Sequence, residues 1–430
     1  MLGSPQVIAI DDREDHLAGL ANCLNQNGVA CLQIHFSEDH TGIHACPDVR
    51  IIFADLHLVP GTASDHTADF AVIGGLLENT IRPTGPYYVV LWTQYPEQAP
   101  ALHEFLDERL GGGVTKPFDV CPLPKSDHID QDGNIADEPL MEAIYSIVRG
   151  LPQVGALFDW EGQVLGAAGR TVSSILALAS QGDGDGRADR LGRILGRLAV
   201  EAVGREHVER DRFRAINDAL LPILADRVAE MGMEALDQQL WDEALTMPET
   251  AVMSSVERAA RLNRLVHIAD PDGISATERG AVVLLPESYR DGFQDYFGLA
   301  EPQAAEKQFR CKDLTREDSR FRWVLVQCQA ACDHAQSNPG TLPYYLGLDF
   351  PEANRSGTKP RDSTWRGPVF EFEGEIRRLR VNAGSSLSLP PSAMRDAKPL
   401  YRLREQMLND LAYHLHTHGA RPGLISFGRR

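Results

Sequence analysis

Five polar side chains in the first third of the chain stand directly after short apolar runs. They are Asp11, Asp12, Asp55, Thr93 and Lys116. Carboxylates that lie together repel one another unless a hard cation sits among them, and Mg²⁺ prefers such oxygen-rich sites. An ionised aspartate beside a metal can attack a phosphoryl group and form an aspartyl phosphate. If the fold brings these residues together, they predict a magnesium-dependent phosphoryl acceptor.

The apolar runs before these residues have the length and composition of buried strands. They are Gln6–Ile10, Val29–Ile34, Arg50–Ala54, Tyr87–Trp92 and Gly113–Thr115, with helical segments between them. Strands that alternate with helices predict a parallel sheet covered by helices on both faces. Ligands bind outside the carboxyl ends of such strands. We therefore expect the five polar residues to meet at the C-terminal rim of one sheet.

Each of the five residues has an expected role in this chemistry. Asp55 is the nucleophile, and Asp11 and Asp12 hold the metal together with it. The metal and the ammonium of Lys116 offset charge on the transferring group, and the hydroxyl of Thr93 hydrogen-bonds the new phosphoryl oxygens. The alternative for the first two acids is that they only cap the first helix, where carboxylates are also favoured.

In these five positions the chain resembles the receiver domain of bacterial two-component response regulators. Asp11 and Asp12 match the acidic pair, Asp55 the phospho-acceptor, Thr93 the switch hydroxyl, and Lys116 followed by Pro117 the lysine motif. The resemblance covers residues 1–150 at most. It implies a flavodoxin-like fold, dependence on Mg²⁺ and phosphorylation by a histidine kinase.

The chain departs from the receiver pattern at three places. Pro60 lies five residues after Asp55 rather than four, and the stretch up to Thr93 is longer than usual. The extra residues fall around Asp65, His66 and Asp69, close to the expected site. The aromatic residue that usually precedes the lysine is replaced by glycines, so the usual aromatic route for transmitting phosphorylation is missing.

Two further regions follow the receiver-like segment. Residues 151–264 are helical in character and form either a dimerisation or signalling helix, and so a homodimer, or a packing layer of the same globular body. Residues 265–430 contain short β-like runs, typical of a small antiparallel sheet or an SH3-like barrel, before a helix from Leu400 to about His418. The runs are Ala281–Leu285, Phe321–Gln327, Pro368–Phe372 and Arg377–Val381.

Two groups of residues in the last region suggest other chemistry. Cys328, Cys332, Asp333 and His334 offer a thiol nucleophile or a metal site, although their spacing matches no zinc pattern. His414, His416 and His418 could bind a metal, since the first and last lie one helical turn apart. Buried cysteines and surface histidines are the simpler interpretations of the two groups.

Composition limits the partners. The net charge is −19, and residues 1–150 carry 7 Lys and Arg against 22 Asp and Glu. Such an acidic chain lacks the basic surface that nucleic acid requires, and no recognition helix is evident. No apolar run has the ~20 residues of a membrane span, and no signal peptide is expected, so we expect a cytoplasmic protein with reduced cysteines.

Together these patterns predict a response regulator whose output is protein interaction rather than DNA binding. The C-terminal region is weakly similar to receiver-linked proteins that stand beside kinases in antiviral two-component systems. One form of this hypothesis is a phosphate sink, which takes phosphoryl groups from a kinase that also phosphorylates a second regulator or effector. The alternative is an effector enzyme with a C-terminal site around Cys328–His334, switched by phosphorylation.

Overall fold

A computed structural model describes most of the chain, in two compact units. The described residues are 5–37, 46–59, 66–111, 114–129, 135, 137–180, 186–230, 238–245, 255–313, 315, 318–335, 340–357 and 359–419. The N-terminal unit comprises residues 1–170 and 226–247, and the C-terminal unit comprises 171–225 and 248–430. The helical region expected at 151–264 is thus divided between the two units. None of the helices in the described ranges is long and apolar enough to span a membrane.

The N-terminal unit is an α/β structure built on a five-stranded parallel sheet. Its elements are β1 (Val7–Asp11), α1 (Glu14–Gln26), β2 (Cys31–His35), β3 (Ile51–Ala54), α2 (Thr67–Leu76), β4 (Tyr88–Thr93), α3 (Ala99–Arg109), β5 (Asp119–Pro124) and α4 (Asp137–Gly150). The strand order β2-β1-β3-β4-β5 is flavodoxin-like. The predicted α/β class and parallel sheet are confirmed, and the chain continues into the long helix α5 (Pro152–Ser180).

Burial explains why this sheet forms. The central strands β1, β3 and β4 are buried along almost their whole length, as expected for strands covered on both faces. One face packs on α2 and α3 through residues such as Ile73 and Leu102, and the other packs on α1 and α4 through Leu20 and Leu140. Each such side chain contributes roughly 1.5–3 kcal/mol of burial free energy. Gly28, at φ +78°, ends the first helix in the left-handed conformation that glycine favours.

The fifth strand differs from the prediction. Val114 and Thr115 lie outside any strand, and β5 instead runs over Asp119–Pro124. This strand contains Pro122 and Pro124, which sequence patterns associate with turns. It pairs only with β4, so it is an edge strand, where a missing N–H on the open side costs no ladder hydrogen bond.

The C-terminal unit contains a seven-stranded antiparallel sheet. Its strands are β6 (Ile268–Ala269), β7 (Ala281–Leu284), β8 (Arg322–Gln327), β9 (Leu342–Pro351), β10 (Thr364–Phe372), β11 (Glu375–Leu389) and β12 (Pro399–Leu403), in the order β10-β11-β9-β8-β7-β12-β6. The prediction of an antiparallel β-rich region is confirmed, but the sheet is larger than expected. Leu400 lies in β12, and the last helix begins at Glu405.

Further α-helices follow α5 in the described part of the chain. They are α6 (Arg187–Val203), α7 (Arg205–Arg210), α8 (Arg212–Glu230), α9 (Gln238–Ala244), α10 (Val256–His267), α11 (Glu287–Asp291), α12 (Phe293–Phe297), α13 (Glu301–Lys307), α14 (Ala331–Ala335) and α15 (Glu405–Gly419). α8 continues through Pro222, where the sequence predicts a bend or break.

A buried ionic network joins three strands of the C-terminal sheet. Arg377 on β11 contacts Asp349 on β9 at 2.7 Å, and the hydroxyl of Tyr401 on β12 donates to the same carboxylate at 2.9 Å. Arg377 and Asp349 are almost completely buried. Because each buried charge has a partner, the network is compatible with the apolar core around it.

Candidate functional site

Two carboxylates meet at the C-terminal rim of the parallel sheet because their strands are neighbours. Asp11 is the last residue of β1, and Asp55 directly follows β3. The two strands pair with Ile10 opposite Ala54, and the N–H of Asp55 donates to the carbonyl of Ile10 at 3.0 Å. Asp12 completes the group, and carboxylate oxygens of the three aspartates lie within 4.8 Å of one another. The predicted acidic cluster is therefore present.

A lysine lies inside this cluster, but it is Lys125. Its Nζ is 2.8 Å from Oδ2 of Asp11 and 2.7 Å from Oδ2 of Asp55. It directly follows β5 and is almost fully buried, with 4% of its side chain exposed. Contacts this short to two carboxylates make Lys125 the cation of the site.

The position predicted for Lys116 was wrong, because the fifth strand lies further along the chain. Lys116 precedes β5, is half-exposed, and contacts Asp107 on α3. The residue that follows Lys125 is Ser126 rather than proline, so the lysine-proline pair carried no positional information here. The usable signal was the run VCPLPK, in which an apolar segment leads directly into a lysine.

Each of the two inner carboxylates divides its oxygens between the backbone and Lys125. Oδ1 of Asp11 accepts from the N–H of Arg13 at 2.9 Å, and Oδ1 of Asp55 accepts from the N–H of Leu56 at 2.8 Å. The other oxygen of each faces Lys125. This arrangement fixes both carboxylates with their second oxygens directed at a common cation.

Burial and repulsion between the carboxylates disfavour the ionised form of Asp11. Burial raises the pKa of Asp11 to about 6, with the charge of Asp55 adding to the rise and Lys125 opposing it. One ammonium thus only partly compensates the carboxylates. With all three ionised, the cluster and Lys125 leave two negative charges, which a divalent cation would balance.

The cluster is a candidate metal site on its chemistry as well as its spacing. Three carboxylates offer the hard oxygen ligands that Mg²⁺ and Ca²⁺ prefer, and Asp12 is only partly buried, so hydration of the ion can be retained. Asp11, Asp12 and Asp55 would hold the ion. Of the two inner carboxylates Asp55 is the more accessible, with 12% of its side chain exposed against 2% for Asp11.

Thr93 lies at the same rim. It is the last residue of β4, the strand next to β3, and it is buried. Its hydroxyl oxygen accepts from the N–H of Tyr95 at 3.4 Å. The parallel strands β3 and β4 pair with Ala54 opposite Leu91, so Thr93 lies just beyond the C-terminal end of β3, where Asp55 also lies. Four of the five residues predicted from sequence are therefore at this rim.

Cys328, the cysteine of the C-terminal group whose side chain the structure describes, is not placed as a reactive thiol. Cys328 is buried, and burial raises the pKa of its thiol to about 12, whereas nucleophilic cysteines need a stabilised thiolate. Asp333 and His334 lie on α14, and the side chain of Cys332 falls outside the described residues. His334 lines a cleft of about 320 Å³ that also includes His207.

The C-terminal histidines lie on α15. His416 is exposed, whereas His414 and His418 line a small cleft with Asp410, whose carboxylate accepts from the indole N–H of Trp365 at 2.7 Å. Within the described ranges, groups of three or more ligand side chains close enough to share a metal occur at two places, and neither includes these histidines.

No family model, curated protein or solved structure matches this chain. Its function must therefore be argued from the geometry of the rim.

Proposed function

We propose that the N-terminal unit is a receiver-type phosphoryl acceptor, in which Asp55 takes a phosphoryl group with the help of Mg²⁺. The observation that carries this proposal is the double contact of Lys125 with Asp11 and Asp55, at 2.8 and 2.7 Å, beside a third carboxylate. A buried lysine that only neutralised charge would need one carboxylate. Here three carboxylates lie beside one ammonium at the C-terminal rim of the sheet, so negative charge remains that a second cation could neutralise.

The reaction is a displacement at phosphorus. An oxygen of Asp55 forms the new bond to phosphorus, while the bond between phosphorus and the donor's leaving group breaks and its electron pair departs with the leaving group. When bound, Mg²⁺ supplies charge neutralisation and orientation of the phosphoryl oxygens. Asp11 and Asp12 would bind the ion.

Lys125 and Thr93 would act on the product. The ammonium of Lys125 already contacts Oδ2 of Asp55, so a small shift would let it donate to a phosphoryl oxygen there. The hydroxyl of Thr93 currently accepts from the N–H of Tyr95. Reorientation of this hydroxyl towards the phosphoryl group would break that bond and alter the segment after β4.

The proposed donor is a histidine kinase, and the proposed output is protein interaction. The first 150 residues carry a large excess of acidic side chains, which argues against a nucleic-acid surface. A phosphate sink in antiviral signalling fits a chain with this acceptor site, and it remains our proposal for the biological role. The buried thiol of Cys328 does not favour the alternative of a C-terminal enzyme.

The direct test is phosphorylation of the full-length protein by a small acyl phosphate in the presence of Mg²⁺. We expect one phosphoryl adduct by intact mass on the wild type, and none on Asp55→Asn or when Mg²⁺ is chelated. Lys116→Met should retain the adduct, since that lysine lies outside the site, whereas Lys125→Met should lose most of it. An adduct that survives Asp55→Asn, or no adduct on the folded wild type, would refute the proposal.

A further inference from the structure

A second group of ligand side chains lies close to the acceptor site. It consists of His57, His66 and Asp69, the last with a completely buried side chain. His57 stands two residues after Asp55, His66 immediately precedes α2, and Asp69 lies in the first turn of that helix. We infer that these three side chains form a binding site for one transition-metal ion, with zinc as the best match. The inference does not depend on phosphorylation.

The spacing of the ligand atoms fits one small ion. Nδ1 of His57 is 3.1 Å from Oδ2 of Asp69, and Nδ1 of His66 is 3.3 Å from the same oxygen. Two ligands at about 2.0–2.1 Å from a tetrahedral zinc lie roughly 3.3–3.4 Å apart. The observed separations are therefore close to those of atoms that share a zinc ion.

The carboxylate of Asp69 provides an independent indication of a ligand. Its Oδ1 is buried and has no hydrogen-bond partner within the described part of the chain. A buried carboxylate oxygen without a partner is costly, and an ion is a common explanation for one. Hydrogen bonds from the two imidazoles would account for the contacts at Oδ2, but they leave Oδ1 unexplained. A metal ion beside the carboxylate accounts for both.

The donor set selects the class of metal. Two imidazole nitrogens and one carboxylate oxygen suit zinc and similar transition metals, whereas Mg²⁺ prefers oxygen ligands alone. This distinguishes the site from the all-carboxylate cluster at Asp11, Asp12 and Asp55. With three protein ligands, a fourth position is left for water or another ligand.

The site is accessible from solvent, and the ring of Tyr95 covers one side of it. His57 and His66 expose 33% and 17% of their side chains, so an ion can enter without unfolding the unit. The ring of Tyr95 packs edge-on against His57 at 4.8 Å and lies 5.5 Å from His66. A bound ion would tie the segment after β3 to the start of α2.

The test is zinc binding by full-length protein first stripped of metal with a chelator. Zinc is titrated in competition with a chromophoric chelator, and we expect one tight equivalent that excess Mg²⁺ does not displace. His57→Ala and His66→Ala should each abolish this stoichiometric binding. The matched control is His103→Ala, since His103 also pairs with a carboxylate, that of Asp119, but stands outside the site. Its zinc binding should equal that of the wild type.

A second measurement needs no variant. Zinc added to the wild type should slow hydrogen exchange in the first turn of α2 and in the segment after β3, and nowhere more strongly. The inference is overturned if zinc binding survives His57→Ala and His66→Ala, if Asp12→Asn alone abolishes it, or if the protection falls elsewhere. Phosphorylation of Asp55 is measured separately, so either proposal can fail without the other.

Discussion

Replacement of Lys125 with methionine removes the positive charge that the structure places between Asp11 and Asp55. The two side chains are of similar length, so the change deletes the ammonium and leaves most of the packing. The wild-type contacts are 2.8 and 2.7 Å, and the lysine is buried. The variant therefore isolates the electrostatic contribution of Lys125 to the N-terminal unit.

The expected cost can be worked out from this geometry. Removal of one partner from a buried ion pair costs about 3–5 kcal/mol, because the remaining charge is uncompensated. The pKa of Asp11 is already raised to about 6, and loss of Lys125 would raise it further. Asp11 would then take up a proton near neutral pH, which limits the cost to about 3 kcal/mol, or roughly a hundredfold in an opening equilibrium.

Hydrogen exchange of the full-length protein near neutral pH measures this change locally. In Lys125→Met, peptides covering β1, β3 and β4 should exchange about a hundredfold faster than in the wild type without Mg²⁺. The matched control is Lys116→Met, which removes a half-exposed lysine paired with Asp107. Such surface pairs contribute at most about 1 kcal/mol, so the control should change exchange by no more than roughly fivefold.

Addition of Mg²⁺ sharpens the test. The ion would replace part of the missing positive charge, so it should protect the Lys125→Met strands more than it protects those of the wild type. Equal exchange in Lys125→Met and Lys116→Met would show that Lys125 does not compensate the carboxylates. Failure of Mg²⁺ to protect either the variant or the wild type would remove the argument for a cation among the aspartates.

Three further predictions address other charges. Mg²⁺ should slow exchange around β1 and β3 in the wild type. Asp12→Asn should weaken this protection, because Asp12 would supply one of the ligands. Asp349→Asn should destabilise the C-terminal sheet by about 1.5–3 kcal/mol, because Arg377 loses its buried carboxylate partner and keeps only the more exposed carboxylate of Glu375. The change should appear as faster exchange in β9, whereas Glu371→Gln at a surface pair should leave that exchange unchanged. Burial lowers the pKa of His334, so the folded state binds a proton less readily than the unfolded state does, and stability falls as the pH drops below about 6.5. Between neutral pH and pH about 5.5, the melting temperature of the wild type should therefore fall more than that of His334→Gln. Equal decreases in the two proteins would contradict this prediction.

The carboxylates of the rim were predictable because the signal for them is local. An apolar run followed at once by an acid marks the end of a buried strand, and both Asp11 and Asp55 fit that pattern. The order of parallel strands then brings such ends to one rim whatever the loops contain. Thr93 follows the same rule at the end of β4.

The lysine was misplaced because the rule for strands fails at an edge. β5 contains Pro122 and Pro124, and prolines usually argue against a strand. Whether a proline is tolerated depends on which strands lie beside it, and that is a property of the whole sheet. The sequence alone therefore favoured Lys116, which stands before the strand instead of after it.

The C-terminal sheet was underestimated for a related reason. Arg377 and Arg380 on β11 are almost fully buried, although charged residues ordinarily indicate an exposed surface. The buried carboxylate that pairs with Arg377 is that of Asp349, which lies 28 residues away in sequence on another strand. Only the fold shows that the pair is compensated, so no local pattern could have assigned these positions to the core.

The two proposed cation sites share a segment of the chain, and this would explain why the chain departs from the receiver pattern there. Asp55 and His57 are two residues apart, and His66 and Asp69 belong to the stretch that is longer than usual before Thr93. Pro60 and Asp65, the other departures there, lie outside the described residues. An ion held by His57, His66 and Asp69 would fix the segment after Asp55, the proposed acceptor, to α2. A phosphoryl group on Asp55 would alter the charge at the start of that segment. If phosphorylation of Asp55 changes the affinity for the ion, ion binding must change the free energy of phosphorylation by the same amount, because the two events share one coupling free energy.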